Sequence, residues 1–329
     1  MKALLSEAPG GPETLRLAEL PDPVAGPGEL LVRMRAAAIN YPDVLIIEDK
    51  YQLKPPRPFA PGSEIAGEVA GVGEGVSGWA AGDRLIAATG FGGLAELVLI
   101  PATAAVALPP SRSFVDGSAL LLTYATAIHA LVDRGRLREG ETLLVLGAGG
   151  GVGLAAVEIG KALGARVVAA ASSDEKAAAA RASGADDAVV YPRDVHDPRA
   201  LSALFKEAVG AGGADVIFDP VGGAYAEPAL RAIGWGGRYL VVGFPAGIPK
   251  LPLNLTLLKS CDLCGVFWGA FAAREPERNA AHIAQLFRWW DEGRIAPRVT
   301  ATYPLADGGA AIAALRDRTA IGKLVVTLD

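Results

Sequence analysis

The chain has 329 residues, enough for two domains, because single hydrophobic cores stop growing near ~250 residues. Its 51 % hydrophobic and 20 % charged content is that of a globular protein and excludes a disordered one. A net charge of −5 argues against nucleic acid as a partner, since phosphate binding draws on clustered Lys and Arg, and two cysteines, Cys261 and Cys264, exclude a disulfide framework and fit a reducing, cytoplasmic compartment.

The N-terminal stretch MKALLSEAPGG has too short an apolar run for a secretory signal and reads as a first strand. Up to about residue 115 the chain is dense in proline and glycine, with short β-like runs at Leu30–Met34, Ile65–Val72 and Leu94–Ile100, which predicts a compact, mostly antiparallel β domain. From Asp116 the texture changes to an apolar helix, Ser118–Asp133, followed by alternating strands and helices. Predicted strands are Leu143–Leu146, Arg166–Ala170, Ala188–Tyr191, Val216–Phe218 and Tyr239–Val242; predicted helices are Val152–Leu163, Asp174–Ala182, Pro198–Ala208 and Ala226–Ala232. That alternation is the signature of an α/β doubly wound parallel sheet. Beyond about residue 270 it breaks, leaving a helix at Arg278–Glu292 and a terminal strand at Lys323–Leu328 that is expected to pack back on the first domain. The longest uncharged runs, Gly117–Val132 and Thr142–Val157, have 16 residues each, short of the ~20 that span a bilayer, so no membrane segment is expected.

The stretch Thr142–Gly153, TLLVLGAGGGVG, reads as a buried strand, a glycine turn and a helix start. Free N–H groups and the positive end of a helix dipole make such a start a phosphate site, with Gly150, Gly151, Val152 and Gly153 as the contacts to a dinucleotide pyrophosphate. A strict G-x-G-x-x-G has Ala148 at its first position here. The next strand decides the cofactor, because a carboxylate at its end would repel a 2′-phosphate. This strand ends at Ala171, followed by Ser172, Ser173 and Lys176, two hydroxyls and an ammonium suited to holding one, so NADPH is the predicted cofactor. Asp174 and Glu175 fit the first turn of a helix. Tyr191 and Arg193 are expected to add to the 2′-phosphate pocket, and Asp219, Val221 and Gly222 (FDPVGG) with Gly243 and Phe244 (VVGF) to meet the nicotinamide half at the carboxyl edge of the sheet.

Several stretches together resemble one superfamily: NYPD (Asn40–Asp43), PGSEIAGEVAGVGEGV (Pro61–Val76), GDRL (Gly82–Leu85), LTYATAIHAL (Leu122–Leu131), the glycine turn, ASSDEK (Ala171–Lys176) and GKLVV (Gly322–Val326). The chain is similar over its whole length to medium-chain dehydrogenases/reductases, and within them to zinc-independent NADPH:quinone oxidoreductases of the zeta-crystallin type. The resemblance implies a GroES-like catalytic domain at residues 1–118 and 270–329, a Rossmann NADP-binding domain at 119–269, and a homodimer built by pairing the Rossmann sheets edge to edge. It places Asn40, Tyr51 and Thr126 as catalytic residues, and Tyr41 and Thr123 beside the nicotinamide. Asn40 would hydrogen-bond a carbonyl oxygen and Tyr51 donate to the reduced oxygen.

Zinc-dependent members carry a Cys where this chain has Asn40, and a His where it has Ser63, before Glu64; their four-cysteine loop is missing too. One C-x-x-C pair cannot make a four-ligand site, and His129, His196 and His282 are far apart in sequence, so no metal is expected. Without a Lewis acid the expected activity is NADPH-dependent reduction of a small quinone or enone by hydride transfer. Two other readings stand beside it: an enoyl-thioester reductase of the same superfamily, and a low-turnover NADPH-binding protein.

Overall fold

The computed structural model describes residues 1–328. Internal packing divides the chain into two compact units, Met1–Leu122 with the terminal stretch from Pro297, and Thr123–Ala296.

The first unit opens with a two-stranded antiparallel pair, β1 (Lys2–Leu5) and β2 (Arg16–Glu19). Its main sheet begins with β3 (Glu29–Ile39), β4 (Glu64–Val72), β5 (Arg84–Ala88), β6 (Leu97–Pro101) and β7 (Ala105–Ala107). In β3 the first half alternates: Leu30, Val32 and Met34 are fully buried while Arg33 between them is exposed, the period-2 pattern of a sheet with one wet face. The second half, Ala36–Ile39, is buried on both sides, because Ala36 and Ala38 pack against Ala119, Phe114 and Val115 of a covering helix. Small residues are required there for the helix to approach.

The second unit is a parallel six-stranded sheet made of β8 (Thr142–Val145), β9 (Arg166–Ala171), β10 (Asp187–Val190), β11 (Ala214–Asp219), β12 (Ile233–Val241) and β13 (Asp262–Gly265), in the order β10-β9-β8-β11-β12-β13. Its strands are apolar on both faces, as a sheet covered by helices demands; Leu143, Leu144 and Val145 of β8 are all fully buried. The order reverses direction between β8 and β11, and ligands of open α/β sheets bind in the crevice at that point, beyond the carboxyl ends of the strands. The chain then returns to the first unit as β14 (Val299–Pro304) and β15 (Lys323–Thr327), parallel to each other, with β15 antiparallel to β3.

The return comes at Pro297, later than the residue 270 expected from sequence. Residues 271–296 are tied to the second unit: Phe271 stacks on His129 with ring centroids 4.0 Å apart, Arg278 reaches Asp133 at 2.6 Å, and the Ala296 backbone N–H donates to Glu158 at 2.9 Å. The run Phe114–Arg134 has the length and hydropathy of a membrane span, yet 72 % of its apolar window is buried inside the protein, as in a core helix. It is interrupted by π-type turns at Leu121–Ala125 and His129–Arg134.

Candidate active site

The glycine turn follows β8 and leads into the helix Gly151–Ala162. Gly150 caps this helix in extended conformation and, as a glycine, makes no side-chain cap hydrogen bond to its first turn. The first-turn N–H groups, which a helix leaves without intrahelical acceptors, therefore stand ready for an anion. Gly147 has φ +59°, and a Cβ there would lie 2.8 Å from Val221 Cγ2; one on Gly153 would lie 2.3 Å from the Gly147 carbonyl oxygen. These close approaches bring the helix down onto the turn. Ala148, the departure from the glycine pattern, is fully buried, and its N–H donates to the Ala170 carbonyl at 3.0 Å. Its methyl points into the protein, so the change leaves the outward face of the turn intact.

At the end of β9, Ala171 is buried, and Ser173 caps the helix Asp174–Ala182 by accepting from the Lys176 N–H at 3.3 Å. Ser172 lies half-buried beside it. Lys176 lies across the glycine turn: a Cβ on Gly149 would meet its Cβ, Cγ and Cδ at 2.5, 2.6 and 3.0 Å. Lysine stem and glycine turn belong to one surface.

Two predicted cofactor contacts take other roles. Tyr191 is 5 % exposed, with its ring packed against Phe205 and Tyr225 in the core, so it walls the region from inside. Asp219 is 3 % exposed, and its carboxylate accepts from the Val221 N–H at 2.8 Å, the Gly222 N–H at 2.9 Å and the Tyr239 hydroxyl at 2.6 Å. Burial pushes the Asp219 carboxyl up, opposed by those three donors. Asp219 shapes the loop. Val221 lies over Gly147; a Cβ on Gly222 would come within 3.1 Å of the ring of Phe244, which is 44 % exposed; the Gly243 N–H donates to the Asp219 carbonyl at 3.4 Å. The loops after β11 and β12 therefore run side by side at the sheet edge next to the glycine turn. Thr123, in the π-type turn Leu121–Ala125, is 4 % exposed, and Thr126 is half-buried.

In the first unit, Asn40 caps the helix Tyr41–Ile47 and is 4 % exposed. Its side chain does not present an amide outward. Nδ2 donates to the Ala38 carbonyl at 3.1 Å and to Glu64 Oε2 at 3.1 Å, while Oδ1 accepts from Lys323 Nζ at 2.5 Å. Lys323 Nζ also reaches Glu64 Oε2 at 3.1 Å, and Glu64 Oε1 accepts from the Leu122 N–H at 2.9 Å. Asp43 completes the network: its carboxylate accepts from the Asn40 N–H at 2.7 Å, the Gly62 N–H at 3.1 Å and the Ser63 hydroxyl at 3.2 Å. Asn40 thus holds the start of its helix, where sequence reasoning expected a substrate contact. Tyr41 and Tyr51 are half-buried on the core of this unit, and burial, with Asp43 as a second cause, raises the Tyr51 hydroxyl above its ordinary value. Lys323 and Glu64 were missed as site residues; the available signal was a lysine opening the apolar strand KLVVT.

Residues 26–110 match the family Alcohol dehydrogenase GroES-like domain, and residues 151–285 the family Zinc-binding dehydrogenase. Quinone oxidoreductase-like protein 2 of Bos taurus is 36 % identical over 310 residues, covering 94 % of this chain and 87 % of that protein, and a homolog of it from Nematostella vectensis is 34 % identical over 305 residues, covering 92 % and 82 %. The chain belongs to the quinone oxidoreductase family of medium-chain dehydrogenases/reductases. Within this family, the structure of Escherichia coli quinone oxidoreductase complexed with NADPH superposes over all of both chains with a TM-score of 0.92 at 28 % identity. The family's GroES-like and Rossmann folds are those of the two units above.

Proposed function

We propose that this chain is an NADPH-dependent oxidoreductase that reduces a quinone or an enone without a metal ion. The observation that carries the reading is the meeting of Lys176 with the glycine turn beside a strand end that has no carboxylate. The residues fit the cofactor: the uncapped start of Gly151–Ala162 suits a pyrophosphate, and Ser172, Ser173 and Lys176 suit a 2′-phosphate.

A zinc ion does not fit the residues at positions 40 and 63. Asn40 has its amide committed to Ala38, Glu64 and Lys323, and the Ser63 hydroxyl donates to Asp43. The network contains no thiolate or imidazole, the donors that zinc sites favour, and among the described residues no group of three or more His, Cys, Asp and Glu side chains is placed to hold a metal.

NADPH, when bound, supplies the hydride. The protein's own residues orient and bind. Gly151, Val152 and Gly153 offer backbone N–H groups to the pyrophosphate, Lys176 supplies the charge that selects a 2′-phosphate, and the loops bearing Val221, Gly243 and Phe244 flank the switch point of the sheet. Tyr51 keeps its proton at neutral pH and serves as donor to an oxygen acceptor.

Assembly and compartment belong to the same proposal. The edge strand β13 carries the half-exposed Leu263 and is flanked by exposed Leu257, Leu258 and Phe267, which favours an edge-to-edge homodimer. Free thiols at Cys261 and Cys264 favour a reducing, cytoplasmic setting.

The reading is tested by following NADPH oxidation with para- and ortho-quinones, a small enone and a crotonyl thioester. A kcat/KM for quinone or enone at least about tenfold above that for the thioester is expected. A preference for the thioester moves the reading to an enoyl-thioester reductase, and tight NADPH binding with no acceptor reduced moves it to a binding protein.

A further inference from the structure

Lys323 is the first residue of β15 and Glu64 the first of β4, and both are deeply buried, at 4 % and 0 % side-chain exposure. A strand of apolar residues that opens with a buried ammonium runs against the ordinary pattern, because a charge taken out of water is tolerated only when paired and hydrogen-bonded. Here the ammonium meets two oxygens, Asn40 Oδ1 at 2.5 Å and Glu64 Oε2 at 3.1 Å. The Asn40 amide nitrogen donates to that same Glu64 oxygen at 3.1 Å and lies 3.5 Å from Ser63 Oγ. One cation, one carboxylate, one amide and one hydroxyl therefore converge, and positions 40 and 63 are those at which metal-dependent relatives of the resemblance carry their ligands. The oxygens are present; the centre is taken by nitrogen.

We propose that Lys323 is a resident cation, which supplies from the chain itself the positive charge at Glu64 and Asn40 and so closes this site to a divalent metal ion. Like charges a few ångströms apart in a buried, low-dielectric setting repel strongly, so an ammonium and a metal ion cannot share the Glu64 oxygen. Lys323 Nζ meets Asn40 Oδ1 and Glu64 Oε2. It is a positioning residue: it fixes Asn40, whose N–H bonds to Asp43 at 2.7 Å and whose backbone starts the helix that carries Tyr41. The proposal rests on the metal-free reading above and goes past it by naming a buried charge that opposes a metal ion in addition to the missing thiolate and imidazole.

The test is cobalt uptake by the full-length protein, read as visible d–d absorption and as metal content after desalting, with folding followed by circular dichroism. Wild type and Lys323→Arg are expected to hold no cobalt, and Lys323→Ala, which empties the centre and leaves Glu64 uncompensated, to take up about one ion per chain. The double variant Lys323→Ala/Glu64→Gln, lacking the anionic oxygen, is expected to bind at least about tenfold more weakly. If Lys323→Ala folds only when cobalt is added, that rescue counts as uptake. A folded, cobalt-free Lys323→Ala overturns the proposal, and so does its failure to fold with and without cobalt. Uptake by Lys323→Arg, or equal uptake by the single and double variants, overturns it as well. Stoichiometric zinc or cobalt in the wild type overturns the metal-free reading along with it, whereas a metal-free wild type beside a metal-free Lys323→Ala overturns this proposal alone.

Discussion

Lys323 and Glu64 form an ion pair of 3.1 Å between the first residues of two strands, with less than a twentieth of either side chain exposed. Breaking a buried pair from one side leaves an uncompensated charge and costs about 3–5 kcal/mol, whereas replacing both partners by neutral groups is far less damaging. Lys323→Met is therefore expected to lower the unfolding free energy by about that amount, and Lys323→Met/Glu64→Gln to recover more than half of the loss. Urea unfolding of the two variants measures it; equal losses in both would show that the pair is not coupled.

Asp43 gives the same network a pH dependence. Burial raises its carboxyl from 3.8 to about 6, opposed by the Asn40 and Gly62 N–H groups, Lys323 and the Ser63 hydroxyl. A carboxyl that holds its proton more tightly in the folded than in the unfolded chain stabilises the fold below its unfolded value, and that contribution is lost as pH rises through the folded value. Relative to Asp43→Asn, the wild type should lose on the order of 3 kcal/mol between about pH 4 and about pH 6. Unfolding curves for both proteins at stepped pH test this, and a difference that stays flat across the window would contradict the raised value.

Strand and helix order in the second unit was legible from sequence as far as residue 242, where the elements carry a local signal: an apolar strand, a glycine or serine at the helix start, a 3.6-residue stripe; the edge strand Asp262–Gly265 and the helices Asn254–Lys259 and Trp268–Arg274 were not predicted. The glycine turn, the helix Asp174–Ala182 and the crossover helix Pro198–Val209 all lie within a residue or two of their predicted places. Non-local arrangements were not legible. Asn40 reads as an outward amide until Lys323, far away along the chain, is seen to occupy its oxygen. Asp219 reads as a ligand contact until its loop folds back and consumes the carboxylate, and Tyr191 as a pocket residue until Phe205 and Tyr225 close over it. The boundary near residue 270 failed for the same reason, since the stacking of Phe271 on His129 has no sequence signature.

The exposed apolar residues at the sheet edge give an assembly prediction. Leu257 is 78 % exposed, Leu258 61 % and Phe267 59 %, beside the edge strand that holds Leu263. An exposed apolar sheet edge favours a cover. Light scattering should find a dimer at about micromolar concentration, and Leu257→Asp with Leu263→Lys should convert it to a monomer that still binds NADPH. A wild-type monomer under those conditions would remove the edge-to-edge assembly.

Lys176 offers the sharpest separation of cofactors. Its stem runs beside Gly149 on the helix that Ser173 caps, and the strand before it ends in the buried Ala171. A charge-assisted hydrogen bond to a phosphate contributes about 1.5–3 kcal/mol, or roughly one to two decades in affinity. Lys176→Ala should therefore weaken NADPH binding by roughly ten- to a hundredfold and leave NADH binding nearly unchanged, because only the former carries the 2′-phosphate. Fluorescence titration of both cofactors against wild type and variant measures the two losses. Equal losses would place Lys176 against the pyrophosphate common to both and move the 2′-phosphate contact to Ser172 and Ser173.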